Sequence, residues 1–144
     1  MPDLTKLYPP FKAKIDALQV ALGPSWRITS AYRSPEEQDK LYAQGRTTPG
    51  AIVTNARGTP PQSYHLLGLA CDWVKAVNGK ADWSPKTFDA LGVEARKIGL
   101  EWGGAWKFLD LPHTQASGLK LTDLQREFAK GGLVGVWKFL GTLK

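Results

Sequence analysis

One acidic residue inside an otherwise apolar run constrains this chain more than any other feature. Residues 68–74 read GLACDWV, a short strand suited to a sheet interior, with Asp72 set among Leu69, Ala70, Cys71, Trp73 and Val74. An unpaired carboxylate is expensive to bury, so a fold that accepts this strand must bring a cation to Asp72, either an arginine or a divalent metal ion. Strand alternation puts Ala70, Asp72 and Val74 on one face and Cys71 and Trp73 on the other. Cys71 is the only cysteine, and it points away from whatever Asp72 serves, as a small buried apolar residue. It allows neither an intramolecular disulfide nor a thiolate-rich metal site.

The rest of the chain supplies the frame. Its 144 residues suit one domain with its own core. A content of 42% hydrophobic and 22% charged residues is that of a globular chain, neither disordered nor membrane-spanning. Residues 11–22 place Phe11, Ile15, Leu18 and Leu22 at helical spacing, stopped by Gly23-Pro24. Residues 26–30 alternate as a short strand. Ser34 as N-cap, Pro35 in the first turn and Glu37 as capping-box partner open a helix predicted to reach Gly45. Residues 46–64 form a long connection rich in Gly, Pro, Thr and Asn, of a length that is usually functional or disordered.

Residues 84–98 are predicted as a helix with Ser84 as N-cap, Pro85 at its first position, and Phe88, Leu91, Ala95 and Ile98 on one face. Residues 100–102 form a short strand broken by Gly103-Gly104, and a last helix over 121–130 starts at Thr122 or Asp123. The interleaving predicts a small single α+β domain, a short antiparallel sheet flanked by helices, with a metal site at the sheet.

The charge balance is basic, 19 Lys and Arg against 13 Asp and Glu, which draws the chain to polyanions. The basic residues are scattered rather than striped and no nucleic-acid motif is present, so a nucleic-acid binder is not the expectation. The N-terminal stretch MPDLTKLYPPFKAKIDALQV has no uninterrupted apolar segment, which predicts synthesis in a cytoplasm without a secretory signal.

Only two histidines occur, His65 within SYHLLGLACD and His113 within FLDLPHTQ. Taken singly, each reads as a hydrogen-bonded core or surface residue. With Asp72 they form a different pattern, because two imidazole nitrogens and one carboxylate oxygen are the ligand set of an open catalytic zinc site. A zinc hydrolase also needs a proton acceptor beside the metal. Asp110, three residues before His113, is the first candidate and Glu101, at the Gly-Gly turn, its competitor.

SYHLLGLACD fits S-x-H-x-x-G-x-A-x-D, and FLDLPHTQ supplies an acid-x-x-His after a Trp-Gly-Gly turn, with AYRSPEEQDKLY upstream. Together they resemble the zinc peptidases that include D-alanyl-D-alanine carboxypeptidases, vancomycin-resistance dipeptidases and phage endolysins. The run QGRTTPGAIVTNARGTPPQSYHLLGLACDW is similar to phage L-alanyl-D-glutamate endopeptidases, and the likeness extends from about Trp26 to about Lys130. The resemblance implies zinc held by His65, Asp72 and His113, Asp110 as catalytic base, Arg33 as oxyanion stabiliser or substrate anchor, and Ser63 and Gln38 lining the substrate site. A fixed guanidinium suits the anion that builds up when an amide is attacked. Two positions depart from the pattern: Ala105 replaces a residue that is often polar or acidic, and Thr114 one that is often aromatic.

The expected function is zinc-dependent cleavage of the L-alanyl-D-glutamate bond in the peptidoglycan stem peptide, by a monomer, leading to lysis once the inner membrane is permeabilised. The alternatives are a D-alanyl-D-alanine carboxypeptidase or dipeptidase and a non-catalytic zinc-containing wall-binding module. Residues 1–132 would form the peptidase domain. Residues 133–144 form an apolar-basic segment with Leu133, Val136, Trp137 and Leu140 at helical spacing. That helix is expected to pack on the domain, and the rival reading lays it on an anionic envelope surface.

Overall fold

The computed structural model describes residues 2–143. Helix α1 (Pro9–Leu22) buries Phe11, Ile15 and Leu18, one stripe spaced by four and three residues. Strand β1 (Trp26–Ser30) follows, then α2 (Pro35–Ala43), whose Ser34–Glu37 capping box is complete in both directions. Helix α2 stops at Ala43 instead of Gly45, because Gln44 turns extended. The 46–64 connection runs into a single 3-10 turn, Tyr64–Leu67, where the Ser63 side chain accepts a hydrogen bond from the His65 N–H.

The apolar run forms β2 (Ala70–Val77), two to three residues later than predicted, since Gly68 is left-handed and ends the 3-10 turn. A hairpin absent from the sequence prediction continues it into β3 (Lys80–Asp82). Asn78 and Gly79 both take positive φ there, as a two-residue hairpin turn requires.

The predicted 84–98 helix is a 3-10 turn, Pro85–Phe88, leading into α3 (Asp89–Lys97). Ser84 makes no side-chain cap; Asp82 does that work instead, accepting from Ser84 N at 2.9 Å and Thr87 Oγ1 at 2.7 Å. Strands β4 (Leu100–Trp102) and β5 (His113–Ala116) complete the sheet. The final helix α4 (Leu121–Thr142) begins after Lys120, before Thr122 or Asp123, and Gly132 breaks its helical geometry at φ 64° and ψ −154°.

The sheet is antiparallel in the order β1-β2-β5-β4, with β3 on the far end of β2. Cys71 and Trp73 enter the core with Phe11, Ile15, Leu18, Phe88 and Leu91. Thr114, the second of the two departures, is fully buried on that face; it accepts from Trp73 Nε1 and donates to Cys71 O, both at 3.0 Å. It therefore supports the sheet from within the core and does not line the cavity that holds Asp72 and His113. Val136 and Leu140 of α4 are also buried, and Trp137 Nε1 donates to Leu67 O at 2.9 Å. Among the described residues no helix is long and apolar enough to cross a membrane.

Candidate metal centre

Ladder register assembles the site. Asp72 on β2 stands across from Ser30 on β1 and from His113 on β5, so all three share the face opposite Cys71 and Trp73. Residue i+2 of β5 is Gln115, paired with Glu101 of β4, and a polar row thereby runs across four strands. His65 reaches the same place from the 3-10 turn before β2.

His65 Nε2 lies 3.3 Å and His113 Nδ1 3.1 Å from Asp72 Oδ1. One ligand atom from each of the three residues falls within 4.8 Å of the others. Each imidazole has its other nitrogen pinned: His65 Nδ1 is 2.7 Å from Ala31 O, and His113 Nε2 is 2.8 Å from Gln115 Oε1. A carbonyl can only accept, so His65 carries its proton on Nδ1 and turns the Nε2 lone pair inward. Two inward nitrogens and a carboxylate, with no thiolate nearby, fit a divalent metal ion at an open site.

The two readings of Asp72, ion pair and metal ligand, meet in one place. Arg33 Nη2 donates to Asp72 Oδ2 at 3.3 Å, leaving Oδ1 toward the histidines. Burial pushes the Asp72 carboxyl up, but the His113 and His65 rings set against it outweigh that and hold the group below the usual carboxylate range. Burial disfavours the His113 imidazolium, and the Asp72 carboxylate more than reverses that, raising the ring. Burial raises the Cys71 thiol, in keeping with an inert core residue.

Arg33, Ser63, Asp110 and the three candidate ligands line one cavity of about 480 Å³, together with Trp106 and Gln115. Asp110 Oδ2 is 3.8 Å from His113 Nδ1, and partial burial in the cavity raises its carboxyl. Glu101 does not line the cavity; its Oε2 accepts from Trp106 Nε1 at 2.9 Å and Gln115 Nε2 at 3.3 Å. A larger hollow of about 680 Å³ between α1 and α4 is lined mainly by apolar residues such as Phe11, Leu69 and Leu140 and has Lys14 as its one charge.

Gln38 is the exception among the predicted site residues. It is fully buried and does not face the cavity, because its amide is taken up by Arg33 Nη1 at 3.0 Å and by Ala56 O at 2.9 Å. Trp106 and Gln115, which the sequence reading does not single out, do face it. The signal for Gln115 is the two-residue alternation from His113 along β5.

Residues 57–116 match a family profile described as D-alanyl-D-alanine carboxypeptidase. The Bacillus subtilis peptidoglycan L-alanyl-D-glutamate endopeptidase CwlK is 40% identical over 134 residues, covering 80% of this chain and 76% of that protein. A Listeria phage L-alanyl-D-glutamate peptidase is 38% identical over 69 residues, 45% of this chain and 25% of that protein. In fold, the chain is similar to the Serratia marcescens L-Ala D-Glu endopeptidase ChiX, with a TM-score of 0.60 and 24% identity over 85% of this chain and 86% of that one.

Proposed function

The chain belongs to the D-alanyl-D-alanine carboxypeptidase family of peptidases, and on that premise we propose that it is a zinc endopeptidase cleaving the L-alanyl-D-glutamate bond of peptidoglycan stem peptides. One observation carries the reading: Asp110 and Arg33 open into the same cavity as the His65, Asp72 and His113 group. A wall-binding module has no use for a proton acceptor and a guanidinium beside its metal. The names of CwlK and the phage relative support the choice of bond.

His65 Nε2, His113 Nδ1 and an Asp72 oxygen would hold the ion. Zinc in that position supplies Lewis acidity, which polarises a carbonyl and acidifies water. Asp110, raised by its partial burial, accepts a proton from the attacking water and returns it to the leaving amine. Arg33 is fixed by Ser30 Oγ at 3.1 Å and Gln38 Oε1 at 3.0 Å, so its charge is already in place for the developing oxyanion. Ser63 lines the cavity where the peptide would lie, and its hydroxyl accepts from the His65 N–H. Acting on the wall from a permeabilised cell, this hydrolysis would lead to lysis. In the last helix Val136 and Leu140 are buried against the domain, which supports its packing role.

The test is mass spectrometry of purified peptidoglycan digested by zinc-loaded protein, with a chelator control. New N-terminal D-Glu that disappears on chelation is the expected product. Released D-Ala would replace the endopeptidase reading with a carboxypeptidase one, and an undigested wall would overturn both.

A further inference from the structure

We propose that Arg57 is a specificity-determining residue whose guanidinium takes the free carboxylate of the glutamate at the scissile bond; the inference rests on the endopeptidase reading above. The chemistry of the bond sets the need. The scissile amide uses the glutamate's amine, and only one of its two carboxyl groups carries the chain onward. The other stays free, an anion within one residue of the bond that breaks. Arg33 is the one arginine or lysine lining the cavity, and each of its three nitrogens already donates, to Ser30, Gln38 and Asp72.

The next positive charge stands just outside the lining. Arg57 follows Ala56 and Tyr42 follows Leu41, both lining residues, and the Arg57 guanidinium lies over the Tyr42 ring at 5.0 Å. Arg46 lies over the same ring at 3.9 Å. Two guanidiniums on one ring repel, and a carboxylate beside them relieves the repulsion. The arginine–carboxylate pairs belong to Arg33 and Arg126, so among the described residues neither guanidinium has such a partner. Asp39, one turn earlier on α2, gives its Oδ1 to the Gly58 N–H at 2.7 Å instead. The Tyr42 hydroxyl registers the unbalanced charge, because the Arg57 hydrogen bond, with desolvation opposing and both arginine charges assisting, lowers its pKa.

The two arginines differ in what they have left to give. Arg46 is spent on the fold: Nη1 donates to Tyr42 O at 2.6 Å and Thr54 O at 3.0 Å, and Nη2 to Asn55 Oδ1 at 2.8 Å. Arg57 makes one side-chain bond, from Nη2 to Tyr42 Oη at 3.3 Å. Its other donors are uncommitted among the described residues, and the side chain is exposed. Such a guanidinium can grip a carboxylate at two points.

The test compares two synthetic L-alanyl-D-glutamyl peptides, one with the spare carboxyl free and one with it as a primary amide. Calorimetric titration of metal-free protein reads binding without cleavage. Wild type should hold the acid about 3–10-fold more tightly than the amide, the range for a charge-assisted bond at an exposed site. The preference should shrink with added salt. Arg57→Gln should bring the ratio close to one, and Arg57→Lys, which keeps the charge without the fork, should retain part of it. With zinc-loaded protein the same preference should appear in KM and not in kcat. Lys107, which follows the lining residue Trp106, is the control for a general loss of charge, and Lys107→Gln should keep the ratio.

A wild type that binds both peptides equally, or neither, overturns the proposal. So does a preference that survives Arg57→Gln or that disappears in Lys107→Gln. Equal weakening toward acid and amide in Arg57→Gln is the mark of a merely structural residue and overturns it too. An Arg57-dependent preference in binding, with neither peptide cleaved by zinc-loaded wild type, would uphold the subsite and sink the endopeptidase reading alone.

Discussion

Arg33 donates from Nη1 to Oε1 of Gln38 at 3.0 Å, and the other end of that buried amide holds the Ala56 carbonyl at 2.9 Å. One side chain thus ties the cavity's guanidinium to the long connection that walls the cavity. Gln38→Leu keeps the volume and removes both links. Leaving buried polar partners unpaired is expected to cost about 1–3 kcal/mol, read from thermal or denaturant unfolding. Activity on peptidoglycan should fall as well, because Arg33 loses one of its supports.

Asp110 approaches the centre without closing on it, at 3.8 Å from His113 Nδ1. Asp110→Asn should therefore bind zinc within a few-fold of wild type while losing about 10²–10⁴-fold in turnover, the range for a general base. Zinc titration and single-turnover hydrolysis measure the two halves. An active Asp110→Asn protein would refute the assignment.

The loop that carries Asp110 is tied to Trp102, whose Nε1 donates to Leu111 O at 2.7 Å. Gly104 and Gly92 both lie against the Trp102 ring so closely that a Cβ on either would collide with it. Gly104→Ala should destabilise the fold by about 1–3 kcal/mol through overpacking. It should also reduce kcat more than Gly92→Ala does at equal loss of stability, since Gly104 lies on the Asp110 loop. Kinetics compared at matched fractions folded test this.

Asp82 gives the pH dependence. Hydrogen bonds from Ser84 and Thr87 lower its carboxyl to about 2. A depressed folded-state value means that its stabilisation is present above the ordinary carboxylate pKa and disappears as pH falls through about 2. Asp82→Ala should therefore have a lower Tm than wild type at neutral pH, with the two melting curves converging in acid.

The three candidate ligands are legible in the sequence because each is locally anomalous. Asp72 sits in an apolar strand, and the two histidines are the only ones in the chain. The Ser34–Glu37 capping box is legible for a similar reason, since both halves lie within one turn. Gln38 and Glu101 are different. Their roles depend on a loop 18 residues away and on the β4–β5 register, and neither can be read from local pattern. The Asp82 cap was hidden by Ser84, which has the right residue type in nearly the right place. The Asn78-Gly79 hairpin had a sequence signature of its own and could have been predicted.

The hydrogen bond from Trp137 to Leu67 has a mechanical consequence. Leu67 closes the turn that carries His65, and Tyr8, at the foot of α1, rests 5.7 Å from the same indole. The last helix is a strut between the two ends of the chain, and it bears on the turn from which one metal ligand projects. A fusion partner attached beyond Thr142 leaves that strut seated, whereas a cut before Trp137 would slacken the His65 turn from a distance, with every residue around the cavity still present.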